Sequence, residues 1–328
     1  MNVQESATPD YKPEFLFRLL EKMLLIRRFE ERSAEMYGLR KIGGFCHLYI
    51  GQEASGTGTV AAMDLSRDFV YTAYRDHGIA LACGMDAGQC MAELYGKENG
   101  CSRGKGGSMH FFDVSRHFMG GNGIVGAHIP LAAGHALALG RQGSDGVVAC
   151  LFGDGAIHQG SFHESLNMAS IWKLPVLYIC ENNQYGMGTD FRRVSAVTDY
   201  PVLAKSYGIA GSHVDGMDVL AVYEAVSREV ERIRNDKKPG FLEIRTYRYK
   251  GHSMSDPAKY RTREELDAYQ KQDPILLLKV QMMQRKLLTE EQYIEIDQKS
   301  VKTCDEAVAF AEAGAEPALS TLEEDVMV

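Results

Sequence analysis

A chain of 328 residues with 45% hydrophobic and 24% charged side chains is long enough to bury a large core in one or two domains. Its formal net charge of −8, with no basic run longer than pairs such as Lys237-Lys238, argues against a nucleic-acid surface. The seven cysteines show no CxxC spacing, which excludes a zinc cluster or a disulfide framework and fits a reducing compartment.

Residues 1–15 contain neither an apolar h-region nor an Arg-rich amphipathic pattern, so no secretory signal or transit peptide is expected and the bacterial cytoplasm is the expected compartment. No run of about 18 apolar residues is present to span a membrane. Residues 13–38 predict an amphipathic helix opening at Pro13, with Leu16, Leu19, Leu20, Met23, Phe29 and Met36 at helical spacing. Phe69 to Ala73 predicts a short strand that ends at Tyr74-Arg75. Residues 97–126 are rich in glycine and predict a long functional loop without regular elements. A helix is expected over 127–141 and a buried strand over Val147–Phe152. Ser161 to Lys173 predicts the next helix, with Ser161 and Glu164 spaced as a capping box. Pro175–Cys180 predicts a strand, Val219–Ile233 a helix and Phe241–Thr246 a strand. Beyond residue 265 the pattern is helical, with the pairs Thr262/Glu265 and Thr289/Gln292 spaced as capping boxes.

Alternating strands and helices imply an α/β fold with a mostly parallel sheet flanked by helices. The expected organisation is an N-terminal helical segment (1–40), an α/β domain (41–265) and a C-terminal helical extension (266–328) packed on a neighbour or partner. Gly153-Asp154-Gly155 closes one strand, and Asn182-Asn183 closes the next after a single crossover helix. A right-handed crossover makes the two strands parallel and brings both ends to one sheet edge, where open α/β sheets bind ligands. Asp154 then offers a hard anionic oxygen and Asn183 a neutral one, a pairing suited to Mg²⁺ beside phosphate. Read singly, Gly-Asp-Gly is a tight turn and Asn-Asn a loop. Arg75 and Arg248 also end strands, and a diphosphate needs such fixed cations. Arg245 is expected to be structural, and His110 and His158 to be bystanders. The run Gly121-x-Gly123-x-x-Gly126 matches a dinucleotide fingerprint, which raises a nicotinamide-dependent oxidoreductase as an alternative. That fingerprint requires a preceding strand, and residues 117–120 predict a poor one. The acidic residue should end a second strand, whereas Asp145 precedes one.

Seven segments in order resemble one family: GGFCHLYIGQEA (43–54), TAYRDHG (72–78), GCSRGKGGSMH (100–110), GGNGIVGA (120–127), GDGAIHQG (153–160), IWKLPVLYICENNQYGMGT (171–189) and TYRYKGHSMSDPAKYRTREE (246–265). The pair GDG and NN resembles the thiamin diphosphate-binding motif. The whole, from about Phe15 to about Leu288, is similar to α subunits of the pyruvate dehydrogenase E1 component of the heterotetrameric type, within the thiamin diphosphate-dependent 2-oxo acid dehydrogenases. The resemblance implies the thiamin diphosphate-binding fold, thiamin diphosphate and Mg²⁺ as cofactors, an E1 β subunit in an α₂β₂ assembly, and the lipoyl domain of an E2 acyltransferase as partner. It implies that Asp154, Asn183 and the main-chain carbonyl of Tyr185 hold Mg²⁺. Tyr74, Arg75, Arg248 and the Gly155 and Ala156 amides would meet the diphosphate, and backbone at Gly123 and Val125 the aminopyrimidine. His47 and His252 would stand at the mouth, with His252 also against the cofactor and Ser253 in the catalytic loop. In mitochondrial relatives the serine matching Ser253 is phosphorylated, but Lys259 replaces the second phosphorylated serine, and an unmodified Ser253 is expected. His158 departs from the family's usual Asn or Ser. Acetoin dehydrogenase and branched-chain 2-oxo acid dehydrogenase α subunits are the nearest alternatives, and an inactive scaffold subunit the remotest, since Asp154 and Asn183 are intact.

Overall fold

The computed structural model describes residues 11–324 and 326. The expectation about a leader therefore falls largely outside the described residues. In chain order the elements are α1 (Pro13–Gly38), α2 (Glu53–Ala61), β1 (Phe69–Ala73), α3 (His77–Ala82), α4 (Ala87–Leu94), β2 (Phe118–Asn122), α5 (His128–Arg141), β3 (Val148–Gly153), α6 (Gly160–Trp172) and β4 (Val176–Asn182). Then follow β5 (Tyr185–Gly186), β6 (Thr189–Asp190), α7 (Pro201–Lys205), β7 (Ala210–Asp215), α8 (Val219–Asp236), β8 (Gly240–Arg245), α9 (Arg263–Gln270), α10 (Pro274–Gln284) and α11 (Glu290–Ala313).

Six strands form one sheet in the order β2-β1-β3-β4-β8-β7, and every neighbouring pair is parallel. β5 and β6 make a small antiparallel hairpin beyond the end of β4. Because parallel strands need crossovers that cover both faces, the central strands are apolar on both sides. The period of two sorts their side chains. Ala149, Leu151, Leu177, Ile179, Leu242 and Ile244 pack with α1, α2, α3, α4, α8 and α11 on one face. Val148, Cys150, Phe152, Val176, Tyr178 and Cys180 pack with α5, α6 and α7 on the other. The N-terminal half of α1 closes a third cluster with α10 through Leu16, Leu20, Ile275 and Met282. The α/β architecture read from the sequence is the one observed.

Several local expectations change. Residues 97–126 include β2, whose Val70↔Phe118 and Ala73↔Asn122 register with β1 is interrupted by an irregularity. β2 is an edge strand with one neighbour, so pairing with β1 overrides its glycine-rich sequence. A strand therefore precedes the Gly121-x-Gly123-x-x-Gly126 run after all, and that ground for rejecting the dinucleotide reading fails. The other ground holds: Asp145 lies before β3, where it pairs with Arg67. The Ser161/Glu164 capping box does not form. Gln159 is the N-cap of α6, and Ser161 Oγ donates instead to the Gly126 carbonyl at 3.2 Å. Thr262 accepts from the Glu265 N–H, but the Glu265 carboxylate is drawn away by the Tyr185 and Tyr247 hydroxyls. Thr289 and Gln292 make the full reciprocal box. α11 lies against α1 and α4, with Cys304, Ala307 and Ala311 buried in the main core. Among the described residues no helix is long and apolar enough to cross a membrane.

Candidate functional site

The chain leaves β1 outward to β2 and then returns past β1 to β3, so the strand order reverses between β1 and β3. Such a reversal opens a crevice at the C-terminal sheet edge. The residues singled out from sequence sit just beyond five strand ends. Tyr74 and Arg75 follow β1, Gly123 and Val125 follow β2, and Asp154, Gly155 and Ala156 follow β3. Asn183 and Tyr185 follow β4, and Arg248 follows β8.

Asp154 is buried, and burial pushes its carboxyl up to about 6, against the pull of Arg248. The Asn183 side chain is oriented by Gln52, which accepts from Asn183 Nδ2 at 2.9 Å. That bond leaves Asn183 Oδ1 as the outward acceptor. Arg248 Nη1 lies 3.5 Å from this oxygen and 3.3 Å from the Tyr185 carbonyl, so both oxygens point at one positive charge. The Tyr185 hydroxyl donates to Glu265, which pins the hairpin. Gly186 lies over the turn after β3: a Cβ on Gly155 would stand 3.7 Å from Gly186 Cα. Among the described residues no three His, Cys, Asp or Glu side chains gather as a metal cluster. The donor set of one carboxylate, one amide oxygen and one carbonyl suits a hard cation that takes its remaining ligands from phosphate and water.

Arg75 and Arg248 are both buried, and neither pairs with a carboxylate among the described residues. Arg75 donates to the carbonyls of Leu48 (2.7 Å) and His252 (2.8 Å). Burial, then the neighbouring charge of Arg248, lowers its pKa to about 10. Arg248 donates to the Met187 carbonyl (2.9 Å) and the Tyr260 hydroxyl (2.8 Å). Two buried guanidinium groups without a counter-charge suit an anion, since a buried cation is costly until it is paired.

His47, Tyr74 and His252 form an aromatic cluster, with ring centroids 4.7 Å apart for His47–Tyr74 and 5.1 Å for His47–His252. Both histidines have a buried Nδ1 without a partner. Burial, then Arg75, depresses both: His252 falls to about 4 and His47 lower still, so both rings are neutral. The Ser253 hydroxyl is engaged with Ser255 at 3.0 Å rather than with either ring. Val125 (39% exposed) and Ile124 (73%) both face solvent beside Gly123. Arg245 bonds Glu243 within β8.

Other residues belong to the site although their motifs gave no sign of it. Tyr260 accepts from Arg248 and donates to Asp256, which in turn accepts from the His252 N–H at 2.6 Å. His77 lies 3.0 Å from Glu30 and 2.9 Å from Ser108 Oγ, and that oxygen accepts from the His47 N–H. The His110 ring lies beside Gly123: a Cβ on Gly123 would meet it at 3.3 Å. His158 Nε2 lies 2.7 Å from Ser195 Oγ, which ties the turn after β3 to the 191–200 segment. Only the polar loop setting of Gln52, Tyr260 and His77, within matched segments, could have flagged them.

Residues 21–320 match the family described as Dehydrogenase E1 component. A protein of Rhizobium meliloti named pyruvate dehydrogenase E1 component subunit alpha is 48% identical over 97% of this chain and 92% of its own length. One of Rickettsia typhi with the same name is 41% identical over the whole of both chains. The bovine mitochondrial somatic form is 47% identical over 92% of this chain and 76% of its own.

Proposed function

Because the chain belongs to the dehydrogenase E1 component family, we propose that it is the α subunit of a pyruvate dehydrogenase E1 component, dependent on thiamin diphosphate and Mg²⁺. The observation that carries the reading is the convergence of two unpaired buried arginines with Asp154, Asn183 Oδ1 and the Tyr185 carbonyl at one strand-end crevice. These residues fit a metal–diphosphate group in both charge and donor type.

Thiamin diphosphate, when bound, supplies the electron sink for decarboxylation of the 2-oxo acid. Asp154, Asn183 and Tyr185 would hold Mg²⁺. Arg75 and Arg248 would neutralise the diphosphate, with Tyr74, Gly155 and Ala156 beside it. Gly123 and Val125 would present backbone to the pyrimidine. Neutral His47 and His252 can accept a proton at the mouth, where substrate and the lipoyl arm arrive. Ser253 shapes that loop. Among the described residues the chain has one parallel sheet to offer, so the pyrimidine-side carboxylate would come from a β subunit, in an α₂β₂ assembly. The acceptor of the acetyl group would be the lipoyl group of an E2 acyltransferase, whose dithiolane would be reduced.

The test co-expresses the chain with a β subunit and measures 2-oxo acid-dependent reduction of an artificial acceptor. Pyruvate turnover that Asp154→Ala lowers by about 10³-fold or more supports the reading. Turnover only with acetoin or 3-methyl-2-oxobutanoate would keep the site and change the substrate. No turnover by a folded complex would refute it.

A further inference from the structure

The glycine-rich segment 100–107 does not enclose an external ligand: it folds around Glu93. This side chain stands near the C-terminal end of α4, fully buried, with no Lys, Arg or His paired to it among the described residues. Its Oε2 accepts from the N–H groups of Ser102 (2.7 Å) and Gly104 (2.9 Å). Its Oε1 accepts from those of Gly106 (2.7 Å) and Gly107 (3.0 Å). Successive backbone N–H groups converging on one point are how loops bind phosphate. Here the anion is covalently part of the chain. Glycine is required for the turn, since Gly104 (φ +74°) and Gly107 (φ +59°) are left-handed and a Cβ on Gly100 would overlap the Glu93 carboxylate.

The segment leads directly into two residues that touch the site. Ser108 Oγ accepts from the His47 N–H at 3.0 Å and lies 2.9 Å from His77 Nε2. The His110 carbonyl accepts from Ser102 Oγ at 2.6 Å, and its ring stands against Gly123 and 3.2 Å from the Gly121 carbonyl. We propose, given the function above, that Glu93 is a positioning residue for the reaction: an internal anion whose four N–H bonds set the 100–110 loop so that His47 and the Gly123 backbone face the cofactor.

The α₂β₂ complex carrying Glu93→Ala tests this, because the atoms removed correspond to acetate. Hydrogen exchange at residues 102–107 should accelerate about tenfold or more. For pyruvate, kcat should fall about 100-fold with a much smaller change in KM, the signature of misplaced groups. Acetate should restore both readouts, and the isosteric neutral acetamide neither. Wild-type exchange in the variant, or equal effects of acetate and acetamide, would overturn the proposal. Should Glu93→Ala not assemble, Glu93→Gln decides: it sets an NH₂ against one N–H pair, and unchanged exchange at both pairs would overturn the proposal. The exchange readout does not depend on turnover, so failure of the pyruvate reading remains distinguishable.

Discussion

Asp154 shows how a residue proposed to bind metal would be kept at the expense of stability. Burial raises its folded pKa to about 6, above its ordinary 3.8. A group raised on folding contributes stability below its unfolded pKa and loses that contribution as pH rises through the folded value. Above about pH 6 the folded protein without Mg²⁺ therefore carries a buried charge that Arg248 only partly answers. Asp154→Asn should stabilise the metal-free protein at pH 8 by on the order of 2 kcal/mol, with little effect at pH 4, while abolishing turnover. Thermal melts at the two pH values check this, and equal effects at both would contradict it. If Asp154 holds Mg²⁺ as proposed, stability and function oppose each other here. The sequence showed this residue plainly, flanked by glycines at a strand end. It did not show Gln52, which orients Asn183 from a distant segment.

At the scale of elements, α2 and α8 approach closely because Gly58 offers no side chain. A Cβ there would stand 2.8 Å from both Val222 Cβ and the Val219 carbonyl. Gly58→Ala gains a little helix propensity but forces two buried helices apart. Overpacking should win, lowering stability by about 1–3 kcal/mol in denaturant titrations. A stabilised variant would show that α8 can shift. β2 and β7 carry a related lesson. Phe118-Met119-Gly120-Gly121-Asn122 and Ala210–Asp215 have weak strand patterns, and each is an edge strand with a single neighbour. Their pairing, not their propensity, makes them strands. Central β3 and β4, buried on both faces, were legible as apolar runs.

Over the whole molecule, three histidines from separate regions are held neutral by burial. His47 and His252 face the crevice, and His128 lies under β3, with Nε2 2.8 Å from the Leu151 carbonyl. His252 and His128 fall to about 4. A group depressed on folding contributes stability above its unfolded pKa and loses it as pH drops through the folded one. His77 runs the other way: burial opposes its charge, but Glu30 outweighs burial and raises its pKa. His135 is lowered by burial as well, and below about pH 6.5 the His77 contribution is already complete. The carboxyls of Asp76, Asp154 and Glu181, raised by burial, run against the four depressed histidines. With the histidines dominant, the melting temperature should fall as pH drops from about 6.5 towards about 4, most of all for the protein without an anion at Arg75 and Arg248. A flat profile from pH 7 to 5 would contradict it. By itself the sequence determined the α/β class, the Asp154–Asn183 pair and the arginines at strand ends, because strand periodicity and turn residues are local signals. It mistook β2 for loop and Ser161 for a cap. The crevice between β1 and β3, the charge of Arg248 shared by Asn183 and Tyr185, and the nest around Glu93 were decided by the tertiary structure alone. The first two depend on groups far apart in the chain, which meet only once the sheet order is set, whereas the nest closes within 14 residues around a carboxylate that no local motif marks as its ligand.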